Sequence, residues 1–316
     1  MSEIRLTLIV AALFAATLGK SETQHSATNA NDGTLLEAQS YSFPAYDKTE
    51  GIEFYSSRPE YETAVADKQF EFKKLRYSSD SLSVTAYLYK PAQTEGKAYP
   101  VIIFNRGSGP AGDSAPLLIS MFHRLASSGF VILAPQYRGS DGGEGRDEIG
   151  GSDLDDVKNI LPLAKSLGFI DMKNLFMYGE SRGGMMTYQA IRDRVPINAA
   201  AVFGAFTDLE IMNKSPYVQK IIPQIWPDYE THKEEIIRRR SAKYWPDRLS
   251  VPLLIMNGGA DQQVDPIQPL QLAEQLQSLG KTYELIVYAK DDHFLEHNRN
   301  DRDQRAIAWF ESCMVR

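Results

Sequence analysis

From residue 70 to the C-terminus, short unbroken apolar runs alternate with longer amphipathic stretches. The runs fall at 101–104, 130–135, 175–178, 199–203, 251–256 and 283–288. Apolar runs of this length without polar alternation are what strands covered on both faces look like. The amphipathic stretches at 115–128, 153–167, 183–192, 266–279 and 302–314 read as helices. Strand and helix in alternation imply parallel crossover units, so the expected class is α/β: a mostly parallel central sheet with helices on both faces. Two further β-like runs, 70–77 and 82–89, flank Ser78-Ser79-Asp80-Ser81, a turn composition that predicts a hairpin. Ser152, followed three residues later by Asp155, predicts a capped helix start.

Two segments depart from this rhythm. Residues 209–249 carry Tyr217, Trp226, Tyr229, Tyr244 and Trp245 among many charges and are expected to form a small helical cap insertion. At the N-terminus, Arg5 sits in a short polar start, 6–18 are almost entirely apolar, and a polar tract runs over 20–32. That is the layout of a secretory signal peptide. The apolar part falls short of the roughly 20 residues that cross a bilayer, so 1–20 are expected to be cleaved, with an uncleaved N-terminal anchor as the alternative. The protein is then exported, to a periplasm or the medium. Residues 21–46, rich in Ser, Thr, Asn, Gln and Ala, read as a linker, which leaves 47–316 as the catalytic domain. No internal repeat interrupts it.

Composition narrows the function. A chain of 316 residues can build one large core. The net charge of -7, from 41 acidic against 34 basic residues, offers no field for nucleic acid or an anionic membrane surface. Cys313 is the only cysteine, which excludes an internal disulfide and any cysteine-built metal cluster. Oligomeric state is left open by these features.

The most specific local feature is Gly179-Glu180-Ser181-Arg182-Gly183, set between the run at 175–178 and the helix expected at 183–192. Gly-x-Ser-x-Gly between strand and helix is a nucleophile elbow, the mark of the α/β-hydrolase fold: the turn is so tight that side chains at Gly179 and Gly183 would collide, and it lifts the serine above the sheet edge. A serine hydroxyl needs a base within reach, and the base needs an acid behind it. In this fold the acid and then the histidine follow late strands. Asp261 follows the run at 251–256, and His293 follows the run at 283–288. Asp265 is the second candidate acid but looks like a helix start, and Asp208 comes early in the order. Of the remaining histidines, His25 is in the linker, His123 in a helix and His232 in the insertion; His297 lies further from the strand end than His293. His293 and His297 could also form an i, i+4 metal pair, but no third ligand is evident. The oxyanion needs two N–H donors: the backbone of Arg182, and one from the loop Asn105-Arg106-Gly107-Ser108-Gly109, with Gly107 and Ser108 the candidates. For Glu180 and Arg182 an intramolecular ion pair is the plainer reading.

Three features resemble the catalytic domain of the prolyl oligopeptidase family. They are Tyr137-Arg138-Gly139-Ser140 ahead of Gly150-Gly151-Ser152-Asp153-Leu154-Asp155-Asp156, the elbow with Gly184, and the stretch 257–264 with the later His293. The resemblance spans roughly residues 70–314. It implies a serine hydrolase that cleaves small peptide or ester substrates through an acyl-enzyme on Ser181, with no metal or organic cofactor. Full-length family peptidases carry a large β-propeller, and the stretch before residue 70 is too short for one, so a stand-alone catalytic domain is expected. The family's His-Gly-Gly-Pro is replaced by Asn105-Arg106-Gly107-Ser108-Gly109-Pro110. A carboxylesterase for small esters is the alternative; an inactive exported binding protein of the same fold is a further one.

Overall fold

The computed structural model describes residues 30–108, 112–212, 222 and 225–316. The expected signal peptide 1–20 and His25 lie outside the described residues. Among these, strands β1 (Leu35–Ser40), β2 (Phe70–Ser79), β3 (Leu82–Pro91), β4 (Tyr99–Asn105), β5 (Val131–Pro135), β6 (Ile170–Glu180), β7 (Ala199–Phe203), β8 (Leu253–Gly258) and β9 (Tyr283–Tyr288) form one sheet. Its order is β1-β2-β3-β5-β4-β6-β7-β8-β9. The strands β1, β2, β3 and β5 pair antiparallel in turn, and every pairing from β5 through β4 to β9 is parallel. The hairpin forms as expected, with Asp80 and Ser81 in the left-handed region at its tip.

Alternate residues of each inner strand face opposite layers. Val101, Ile103, Leu175, Met177, Ala200, Val202 and Ile255 join α3 (Asp153–Ser166), α4 (Arg182–Arg192) and α7 (Ile267–Ser278) in one core. Ile102, Phe104, Phe176, Tyr178, Ala201, Phe203 and Met256 join α1 (Arg58–Ala66), α2 (Ala115–Ser127) and α8 (Arg299–Ser312) in the other. Each fully buried ring such as Phe176, packed 5.0 Å from Phe310, contributes about 1.5–3 kcal/mol by leaving water.

Two expectations change. Part of the supposed linker is folded: Leu35–Ser40 pairs with β2, and the rings of Tyr41 and Phe43 pack tilted and edge-on against Phe72. All six β1 residues are exposed, so backbone pairing holds the strand, and a strand held that way leaves no hydrophobic pattern. At the start of α3, Ser152 makes no side-chain cap; the Asp153 carboxylate takes the N–H groups of Gly150 and Gly151, and Asp155 pairs with Lys158. The insertion contributes α5 (Leu209–Met212), α6 (Tyr229–Arg240) and two short 3-10 turns. It docks on the loop ahead of α3: Trp226 Nε1 donates to Glu148 O at 2.8 Å, and Arg240 donates to the carbonyls of Ile149 and Glu148.

After β5 the chain crosses back over β4 to reach β6, so strand order reverses between β4 and β6. The crevice beyond the carboxyl ends of two such strands is where open α/β sheets bind ligands. Asn105 pairs with Gly179 there, one strand exit beside the other.

Candidate active site

Ser181 sits in the bend between β6 and α4 with φ 50° and ψ -117°, a conformation that costs of the order of 1–3 kcal/mol unless the surroundings impose it. They do. A Cβ on Gly183 would stand 1.9 Å from Asn105 O, and one on Gly179 would stand 2.5 Å from Thr187 Oγ1. The elbow is thus pressed onto the exit of β4, and only glycine allows it. Ser181 N–H donates to Phe203 O at 2.8 Å, which ties the bend to the end of β7.

His293 and Asp261 meet at that same end of the sheet. Gly258 pairs with Tyr288 where β8 and β9 finish, and the two loops beyond are bonded through Gly259 N–H to Tyr288 O and Ala260 N–H to Asp291 O. His293 Nδ1 lies 2.8 Å from Asp261 Oδ2, and the histidine is only 5% exposed. Asp261 Oδ1 accepts from the N–H groups of Gln263 and Val264, which fixes the carboxylate. The ring lies against the residue after Phe203: a Cβ on Gly204 would be 3.0 Å from His293 Cε1. Ser181 and His293 therefore approach the end of β7 from two sides. Among the described residues Ser181 makes no side-chain hydrogen bond. Burial pulls the imidazole pKa down, but the adjoining Asp261, with Glu180 and Asp292 beyond it, holds it above the usual histidine value.

The other candidates fall elsewhere. Asp265 accepts from Ile267 N–H at the start of α7, Asp208 pairs with Lys243, and His123 bonds Asp67. His232 is on α6, and His297 is 79% exposed and bonded to Asp291. Leu295 is left-handed between His293 and His297, so no helix joins them as a metal pair. No group of three metal-ligating side chains occurs among the described residues.

The expected ion pair holds for Arg182 and fails for Glu180. Arg182 is bidentate to Asp147, bonds Asp153 at 2.6 Å and stacks over Tyr137 at 4.4 Å. Glu180 instead accepts from Tyr55 Oη at 3.0 Å and faces the N–H of Gly107. Glu180 lies against the backbone of Gly107, and Ser108, the other candidate of this loop, is exposed. The Tyr-Arg-Gly-Ser loop also finds its physical reason here. Arg138 bonds Asp156 at 2.7 Å, Tyr137 Oη bonds Arg106 O, and Asp153 holds Arg182. The loop, the helix start and the elbow are one buried network.

Residues 118–315 match the model of the prolyl oligopeptidase family. The chain belongs to that family. Membership makes it a serine hydrolase of the prolyl oligopeptidase class, built on the α/β-hydrolase fold. The chain is 26% identical over 240 residues to the uncharacterized peptidase YtmA of Bacillus subtilis, covering 75% of this chain and 91% of that one. It is 26% identical over 258 residues to the acylamino-acid-releasing enzyme of Rattus norvegicus, covering 73% of this chain and 34% of that one. Among solved structures, the acylaminoacyl peptidase of Pyrococcus horikoshii superposes with a TM-score of 0.63 at 22% identity, over 78% of this chain and 42% of that one. A puromycin-hydrolyzing peptidase of Mycobacterium tuberculosis gives 0.66 at 22% identity, over 79% and 40%. At this identity the likeness carries the fold. The chain spans about a third of the rat enzyme and two fifths of the two solved structures.

Tyr55 and Asp291 had no place in the sequence reading, and Glu180 had only that of an ion pair. Asp291 accepts from His297, Asn298 and the N–H of Asp292, and so clamps the loop that carries His293.

Proposed function

We propose that this family member is a peptidase for small peptides, with Ser181 as nucleophile, His293 as general base and Asp261 as the acid that orients it. The observation that carries this is the buried 2.8 Å contact of His293 Nδ1 with Asp261, set beside a serine held in a strained bend. With Nδ1–H given to Asp261, Nε2 is the nitrogen free to accept the serine proton. Ser181 Oγ attacks the substrate carbonyl, the proton passes to His293 Nε2, and the oxyanion is met by the N–H groups of Arg182 and Ser108. The first N–H groups of α4 have no partner inside the helix, which makes Arg182 an available donor. His293 then returns the proton to the leaving amine, and water cleaves the acyl-enzyme by the same steps. Metal and organic cofactors have no part in this sequence. We further propose that residues 1–20 direct export, a reading supported by their charge and apolar pattern.

Ser181→Ala is expected to abolish fluorophosphonate labelling and hydrolysis while the thermal midpoint stays near that of the parent. Undiminished labelling of the variant would remove Ser181 from the role. Failure of the parent to label would favour a binding protein, and turnover of short esters without any peptide amide would favour an esterase.

A further inference from the structure

Glu180 is a carboxylate 3% exposed, one residue before the nucleophile. Burying such a group without a cation costs several kcal/mol unless hydrogen bonds compensate. Among the described residues no lysine or arginine comes within ion-pair distance of it. Arg302 is the arginine whose charge acts on it most, and that guanidinium is bonded to Asp303 and to Phe294 O. What Glu180 has is neutral: Tyr55 Oη at 3.0 Å and the N–H of Gly107, whose backbone is so close that a Cβ there would sit 3.2 Å from Glu180 Cδ.

Tyr55 belongs to a strap ahead of α1 that lies outside the family-matched residues. Ile52 is buried, Ser56 Oγ bonds Ser120 Oγ at 2.6 Å, and Arg299 donates to Glu53 O and Phe54 O. The Tyr55 ring lies 5.2 Å from that of Phe294, which in turn meets the His293 ring edge-on at 5.3 Å. The strap thus touches the elbow and the histidine loop together.

We propose that Glu180, paired with Phe203 next to the Gly204 that His293 lies against, is a second positioning carboxylate for His293, with the Tyr55 hydroxyl opposing its protonation, so that the imidazolium formed during acyl transfer meets negative charge from Glu180 as well as Asp261. This rests on the triad reading above. The charged groups around His293 are Asp261 from the β8 loop, Asp292 from its own loop and Glu180 from β6. Those around Glu180 are Arg302 and His293; burial pushes its carboxyl above the usual range, and the Tyr55 hydroxyl, Arg302, His293 and the Gly107 N–H oppose that rise. A negative charge on this side makes the ring a stronger base, which raises its pKa and favours proton transfer from Ser181.

The test is the pH dependence of the fluorophosphonate labelling rate, which needs no knowledge of the substrate. Glu180→Gln keeps the shape and removes the charge; its acid limb is expected about half a pH unit or more lower, and its plateau rate about threefold or more lower. Tyr55→Phe is expected to move the limb the same way in the parent and to add nothing in the Glu180→Gln background. Titration of the His293 Cε1 proton by NMR reports the same displacement without turnover. A limb and a titration unmoved by Glu180→Gln, or equal effects of Tyr55→Phe in both backgrounds, would overturn the proposal. A parent that does not label at all points instead to failure of the acyl-transfer reading, and the NMR titration then still decides the influence of Glu180.

Discussion

Replacing Arg182 by methionine removes a cation from the inside of the molecule and keeps most of the side chain's bulk. Two carboxylates lose their partner unequally. Asp147 is partly exposed and can turn to water; Asp153 is fully buried and cannot. Breaking one side of a buried pair costs about 3–5 kcal/mol, mostly because the remaining charge is stranded. Stacking of the guanidinium on Tyr137 contributes up to about 2 kcal/mol more in a desolvated site. Against this, Asp153 keeps the N–H groups of Gly150 at 3.0 Å and Gly151 at 2.7 Å. The net expectation is a loss of about 3–4 kcal/mol at pH 7. Urea unfolding followed by tryptophan fluorescence should show the midpoint displaced by about 1 M or more. Burial pushes the Asp153 carboxyl up, and Arg182, Gly150 N–H and Arg240 together hold it below the usual range. A depressed carboxyl contributes stability above its unfolded pKa and loses it as pH falls through the folded value. In the variant Asp153 can take up a proton instead, so the gap from the parent should narrow between pH 7 and pH 5. Adding Asp153→Asn to the variant should recover part of the loss. A deficit under about 1 kcal/mol at pH 7, or one that does not narrow, would refute the stranded-charge argument.

Three further outcomes follow from the site. Because the His293 pKa stands above its usual 6.5, the acid limb of hydrolysis should have its midpoint above pH 6.5, and a midpoint at or below that value would contradict the geometry. By linkage the same group contributes stability below pH 6.5 that is lost as pH rises through the folded value. Gly183→Ala would place a Cβ 1.9 Å from a backbone oxygen of β4, and should lower stability by about 1–3 kcal/mol or more while slowing fluorophosphonate labelling; an unchanged labelling rate would show that the elbow does not need that contact.

The inner strands were legible because each is covered on both faces, which forces unbroken apolar runs such as 199–203 and 253–256. The elbow was legible because its glycines are steric necessities, and the Asp261–His293 pair because both residues follow strand ends. What could not be read was held by backbone or by distance. In β1 no side chain is buried, so Leu35–Ser40 had no period to detect. The Tyr55–Glu180 bond joins residues 125 positions apart, with no local signature at either end. The start of α1 did carry a signal, Ser57 with Pro59 and Glu60, and the capping box forms there. At α3 the similar pattern misled, because Ser152 Oγ bonds Glu148 and the N–H groups of Leu154 and Asp155 go to the carbonyls of Gly151 and Ser152.

The family-matched stretch opens at residue 118, inside α2, yet β4 ends at Asn105 and fills the lane between β5 and β6. A chain trimmed to the match would keep β5 and β6 and lose the ladder that joins them, leaving two rows of amide and carbonyl groups facing an empty slot. Kinship in sequence thus marks out less than the smallest piece that can hold itself together. Any excised version has to begin ahead of Tyr99, where β4 starts.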